Sequence, residues 1–196
     1  MSQHFFVVGT DTGIGKTFVT CQLLRAYSNR GSSTIAIKPI VSGDPMDVFC
    51  LSEAASVKLP YEIMNPIKLA TPVSVHLAAQ LERKNILAKS VVAACQPALS
   101  VAADFYFIES AGGWFSPISF QETTADLAQA FSYPLILVVG LRLGCLNHAL
   151  LTYESIQRSG LPLAGWVANP IDPEMLYTEE NIFFLKEKIH APLIEI

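Results

Sequence analysis

Short apolar runs alternate with longer segments of helical period along this chain. Residues 4–8, 34–38, 104–108, 135–139 and 163–168 read as strands. Helical patterns cover 16–30, 47–57, 73–83, 88–102, 124–131, 147–159 and 173–189. Strands that alternate with helices need crossover connections. They predict an α/β fold, a doubly wound, mainly parallel sheet with helices on both faces. The punctuation agrees. Gly31 and Gly160 stand where helices end in a left-handed residue. Pro134 and Pro162 open strands, where a missing N–H costs least. No repeat, low-complexity tract or linker breaks the pattern, so residues 1–196 are expected to form one domain.

Composition narrows the function. The chain is 51% hydrophobic and 15% charged, enough to build a full core and too apolar for disorder. So little charge also predicts that some apolar surface lies in a subunit contact. The net charge of −4 comes without a basic stripe, which argues against nucleic acid as a partner. The run 135–141 is far too short to span a membrane and reads as a buried parallel strand. A strand pattern begins almost at once, leaving no room for a secretory leader. Cys21, Cys50, Cys95 and Cys145 form no C-x-x-C pair and are expected as reduced thiols in a cytoplasmic protein. The histidines show no zinc spacing.

Candidate chemistry collects at the carboxyl ends of the strands, where ligands bind in such sheets. The first strand runs into Gly9-Thr10-Asp11-Thr12-Gly13-Ile14-Gly15-Lys16-Thr17 and then a helix. This strand, glycine loop and helix form the context of a phosphate-binding loop, with one residue more than the usual spacing. Backbone N–H groups of Gly13, Ile14, Gly15, Lys16, Thr17 and Phe18 would surround phosphate oxygens. Lys16 would add a cation on the β and γ phosphates, and the Thr17 hydroxyl would ligate Mg²⁺. The later strand ends carry Lys38-Pro39 with Ser42-Gly43, Glu109 to Gly113, Gly140 to Asn147, and Asn169. A carboxylate closing the apolar run before Glu109 is costly unless it is paired or placed in a site.

Those segments together resemble the dethiobiotin synthetase family. The resemblance rests on Gly9 to Thr17, Lys38-Pro39-Ile40-Val41-Ser42-Gly43, Ala111-Gly112-Gly113-Trp114, Leu143 to Ala149 and Gly165-Trp166-Val167-Ala168-Asn169, in that order over nearly the whole chain. It implies a nucleotide-binding domain of the P-loop NTPase type and an ATP- and Mg²⁺-dependent ligase. The implied substrates are 7,8-diaminopelargonic acid, CO₂ or bicarbonate, and ATP. It further implies that Lys38, Lys16, Thr12 and Ser42 act in catalysis, with Gly112 beside the substrate. Thr17, Asp47 and Glu109 match the metal positions, Asp44 being the alternative to Asp47 because the intervening loop is short. Gly144, Cys145, Leu146 and Asn147 would hold the substrate's far carboxylate from the partner subunit of a homodimer, with Asn147 as helix N-cap. Asn169 would hydrogen-bond adenine.

Two features depart from that family. Ser110 stands where a glycine usually follows the acidic residue, which would strain the backbone if φ there is positive. Family members also continue beyond the segment equivalent to 191–194 with a cover over base and ribose, so a relaxed preference for ATP is expected here. The alternative expectations are a catalytically weak nucleotide-binding relative, or another P-loop ligase or kinase.

Overall fold

The computed structural model describes residues 2–196. In chain order the elements are β1 (Gln3–Gly9), α1 (Lys16–Asn29), β2 (Thr34–Ile37), β3 (Ile40–Ser42), α2 (Met46–Ala54), α3 (Tyr61–Met64), β4 (Ile67–Leu69) and α4 (Val75–Leu81). There follow α5 (Ala88–Leu99), β5 (Phe105–Gly113), α6 (Thr124–Phe131), β6 (Leu135–Leu141), α7 (Cys145–Ser159), β7 (Leu163–Pro170) and α8 (Thr178–Lys188). The main sheet runs β2-β5-β1-β6-β7 and every adjacent pair is parallel. β3 and β4 form a small parallel pair of their own. Among the described residues, no helix is long and apolar enough to cross a membrane.

Both faces of the sheet are covered, as the crossover pattern requires. On one face Tyr27 of α1 lies against Phe105 and Phe107 of β5, and Phe107 stacks on Phe5 of β1. On the other, Phe131 of α6 meets Phe6. Every residue of β6 is buried, which explains its unbroken apolar sequence. α6 begins as read from the sequence, with a capping box between Thr123 and Asp126. The four cysteines are unpaired; only Cys50 is exposed.

Several boundaries move for local reasons. β2 stops at Ile37, because the Lys38 N–H donates to Met64 O instead of the sheet. β5 continues to Gly113, well past 108. Asn169 and Pro170, which read alone as a turn, close β7. α8 starts at Thr178, after the left-handed Tyr177 (φ 54°), not at 173. α7 starts at Cys145, so Asn147 is not its N-cap. That position belongs to Gly144, whose φ of 91° turns the chain into the helix while the Cys145 N–H reaches Arg142 O at 3.0 Å. β3, α3 and β4 carry too few residues for a periodic pattern to declare itself. Ser110 lies within β5 and outside the residues of positive φ, so replacing glycine there costs no backbone strain.

The loop after β1 is seated by close approach to two glycines. A Cβ at Gly9 would lie 2.8 Å from Ile14 Cδ1, and one at Gly140 2.6 Å from Ile14 Cβ. Ile14 therefore plugs the loop onto β1 and β6, which is why it is buried at the tip of a polar motif. Gly140→Ala should displace it. Urea unfolding is expected to show a loss of about 1–3 kcal/mol, the usual cost of an overpacked core. An unchanged midpoint would mean that the loop does not need this seat.

Candidate active site

A cavity of about 380 Å³ opens at the carboxyl ends of β1, β2 and β5, lined by Thr12, Gly13, Gly15, Lys16, Thr17, Lys38, Ser42, Asp44, Asp47, Glu109 and Gly112. The sheet order reverses around β1, so the loops after β1 and β5 face each other here. Gly13 and Gly15 adopt φ of 71° and 82°, values that favour glycine. Gly15 is the N-cap of α1, and its carbonyl accepts from Val19 N at 3.0 Å. Gly15 also needs its missing side chain, since a Cβ would come within 2.2 Å of Asn169 Nδ2. That Asn169 amide donates to Ile14 O at 2.7 Å and ties the loop to β7 from beneath. Asn169 is buried and lies outside the cavity lining. Phe18 is 56% exposed and does not line the cavity, so only its backbone remains for a phosphate.

The two lysines occupy different settings. Lys16 folds back over its own loop and donates from Nζ to Asp11 O at 2.9 Å. Burial lowers its pKa to about 8, and the nearby Lys38 charge pushes in the same direction. Lys38 Nζ is held by Glu109 Oε1 at 2.6 Å and Asp47 Oδ2 at 3.0 Å. Burial disfavours its charge, but Glu109 and then Asp47 outweigh that and keep its pKa above the ordinary lysine value. Asp47 responds in kind. Its own burial would raise its pKa, yet the Lys38 charge and hydrogen bonds from Lys38 and Thr17 hold it below the usual carboxylate range.

Thr17 Oγ1 donates to the same Glu109 oxygen at 2.7 Å. Glu109 Oε2 is buried without a hydrogen-bond partner. One hydroxyl and two carboxylates thus converge, one of them with an unused oxygen, a hard-oxygen set suited to Mg²⁺ completed by phosphate or water. Asp44 lines the cavity too, but its carboxylate accepts from Met46 N at 2.9 Å and steadies the start of α2.

A second cavity of about 440 Å³ shares Thr12, Ser42, Ala111 and Gly112 with the first and is otherwise bounded by residues 72–75, Ser116 and Pro117. Ser42 Oγ donates to Val73 O at 2.7 Å. Gly112 is required by both conformation and space: φ is 72°, and a Cβ would fall 2.3 Å from Ser116 Oγ. Gly144, Cys145, Leu146 and Asn147 line neither cavity. They form the start of α7, where Cys145 is buried, Leu146 half-buried, and Gly144 and Asn147 exposed, without a side-chain cap. The Cys145 N–H is taken by Arg142 O, which leaves the N–H groups of Leu146 and Asn147 as the free donors that a helix start provides.

Two partners of the cluster escaped the sequence reading. Arg142 Nη2 donates to Asp11 Oδ2 at 2.7 Å and braces the loop on which Lys16 rests. Asn65 Nδ2 donates to Lys38 O at 2.7 Å. Arg142 stood inside a segment already singled out, whereas Asn65-Pro66 gave only a breaker signal.

The model of a family described as AAA domain matches residues 3–195. The chain is 42% identical to the ATP-dependent dethiobiotin synthetase BioD of Cellvibrio japonicus, over 98% of this chain and 87% of that one. It is 43% identical to the protein of that name from Pseudomonas aeruginosa, covering 97% and 87% respectively. The counterpart in Nitrosospira multiformis is 40% identical, covering 100% and 88%. Among solved structures, the signal recognition particle 54 kDa protein of Aeropyrum pernix superposes with a TM-score of 0.58 at 14% identity, over 98% of this chain and 40% of its own. A DUF1611 family protein of Anabaena variabilis gives 0.54 at 17%, over 98% and 52%. The chain thus spans about half the length of these structures or less, and the likeness establishes a P-loop NTPase-like fold.

The burial of the charge cluster has a consequence for stability. Glu109 is fully buried, whereas the Asp47 side chain is half exposed. Glu109→Gln should therefore cost about 3 kcal/mol in urea unfolding, as a buried ammonium loses its close counter-charge. Asp47→Asn should cost far less, because solvent screens that pair. Equal losses would show that burial does not rank the two.

Proposed function

The chain belongs to the family of ATP-dependent dethiobiotin synthetases, and from that membership we propose which of its residues carry out the synthesis. The enzyme is a ligase of biotin biosynthesis that consumes ATP. The observation that carries the assignment of roles is the Lys38 ammonium, fixed between Glu109 and Asp47 and opening into one cavity with Lys16, Thr17, Thr12 and Ser42. Residues 1–196 act as one nucleotide-binding domain.

The substrate is 7,8-diaminopelargonic acid. One of its amines adds to the carbon of CO₂, loses a proton and becomes a carbamate. Lys38 lies where its charge stabilises that anion and the charge that develops in the next step. A carbamate oxygen then attacks the γ-phosphorus of ATP; the bond to the bridging oxygen breaks and ADP leaves. The neighbouring amine attacks the carbonyl carbon of the mixed anhydride, the C–O bond to phosphate breaks, and the ureido ring closes with release of phosphate and a proton.

Lys16 exchanges its contact with Asp11 O for the phosphates, which the N–H groups of residues 13–18 surround. Thr17, Asp47 and Glu109 would hold Mg²⁺, which would neutralise phosphate charge. Thr12, Ser42 and Gly112 line both cavities and orient the diamine. The outward-facing start of α7, residues Gly144 to Asn147, holds the far carboxylate of a substrate bound mainly by the partner in a homodimer. That this segment lines neither of the two cavities of its own chain supports that division.

The direct test follows dethiobiotin and phosphate with purified protein, bicarbonate, Mg²⁺, diaminopelargonic acid and ATP. Wild type should turn over, and omission of Mg²⁺ should stop it. Lys38→Ala should lower kcat by about 100-fold or more while leaving ATP affinity within about twofold. A wild-type rate in that variant would remove Lys38 from the chemistry.

Shared sites make a separate prediction. Lys38→Ala protein mixed with a variant disrupted at Asn147 should regain activity, because one site of the mixed dimer is whole. Activity no higher than the sum of the two preparations would place each site within a single chain.

A further inference from the structure

Lys38 is the residue on which the proposed chemistry turns, yet the main sheet does not hold it. β2 ends at Ile37, and Pro39 follows, so strand pairing fixes neither backbone group of Lys38. Both groups are satisfied by one distant segment. The Lys38 N–H donates to Met64 O at 3.0 Å, and the Lys38 carbonyl accepts from Asn65 Nδ2 at 2.7 Å. The next residues are tied to the same segment, as Ile67 N donates to Pro39 O at 3.1 Å and Ile40 pairs with Ile67.

Asn65 is the one side chain in this clamp. It is only 1% exposed. Its Nδ2 bridges two carbonyls, reaching Ile67 O at 3.3 Å besides Lys38 O, and this fixes which way the amide faces. Its Oδ1 is buried with no partner. An orphaned buried acceptor costs about 1–3 kcal/mol, so this amide is a poor choice for stabilising a loop alone. What it does secure is the direction in which the chain leaves β2. That direction sets where the Lys38 side chain begins, on its way to Glu109 at 2.6 Å and Asp47 at 3.0 Å.

We propose that Asn65 is a positioning residue for dethiobiotin synthesis, holding the Lys38 backbone so that the ammonium sits at the carbamate. This rests on the role given to Lys38 above. Asn65 touches no cavity that contains Lys38, so it acts through Lys38 and not on the substrate. Misplacement of a catalytic group by about 1 Å costs on the order of 100-fold in rate.

The test is a double-mutant cycle on the full chain. Asn65→Ala and the volume-preserving Asn65→Leu are each made alone and in the Lys38→Ala background. The readouts are kcat, the KM for diaminopelargonic acid and ATP affinity. Each single Asn65 variant should lose about 10- to 100-fold in kcat, with ATP affinity and KM within about twofold. That loss should largely vanish when Lys38 is already alanine, because the two residues act as a unit. Full kcat in either variant overturns the proposal. So does an equal loss in the Lys38→Ala background, or a parallel loss of ATP binding, either of which assigns Asn65 to the fold. A wild-type protein that makes no dethiobiotin overturns the reading of the site and this proposal with it. Active wild type with indifferent Asn65 variants removes only Asn65.

Discussion

A buried ammonium can exist only where counter-charges meet it, and that requirement organises the centre of this molecule. Lys38 is 4% exposed, and its charge is sustained by Glu109 at 2.6 Å and Asp47 at 3.0 Å. The three residues come from three places: the position just after β2, the first turn of α2 and the middle of β5. Meeting at one point demands that β5 lie beside β2, as it does. It also demands that α2 return over the sheet, which it does by packing beside α1. The cluster therefore ties together topology, helix placement and site electrostatics. Lys16 lines the same cavity; its own burial lowers its pKa to about 8, and the Lys38 charge pushes the same way against Glu109 and Asp47.

The glycine loop meets a different constraint, steric rather than electrostatic. Gly13 and Gly15 are there for their backbone angles, while Gly9 and Gly140 are there because Ile14 occupies the space a Cβ would take. Asn169 completes the seat by bonding Ile14 O from β7. Three strands of the sheet thus hold one loop. A loop seated in this way has little freedom left to lose when a ligand binds, which is the essence of preorganisation.

Much of this was legible in the chain because it is local. The alternation of apolar runs with helical periods gave the sheet and its covering helices, and the Gly-Lys-Thr signature gave the loop. Helix and strand ends were less legible. The N-cap of α7 moved from Asn147 to Gly144 because a left-handed glycine turned the chain earlier than a side-chain cap would have. The small β3–β4 pair and α3 were invisible, since three or four residues carry no period. Asn65 was passed over for a different reason: its partner, Lys38 O, lies 27 positions away and leaves no trace in spacing.

What the sequence by itself determined were the features that depend on neighbours a few residues apart: the secondary-structure order, the loop, the polar residues gathered at strand ends, and through them the family. Only the tertiary structure decided which of those residues touch. It placed Glu109 on both Thr17 and Lys38, set Asn169 beneath the loop, and closed Asn65 on the Lys38 carbonyl. The physical reason is that local pattern follows from dihedral preference and burial along one element. A contact between elements depends instead on strand order and crossover path, which no single segment contains.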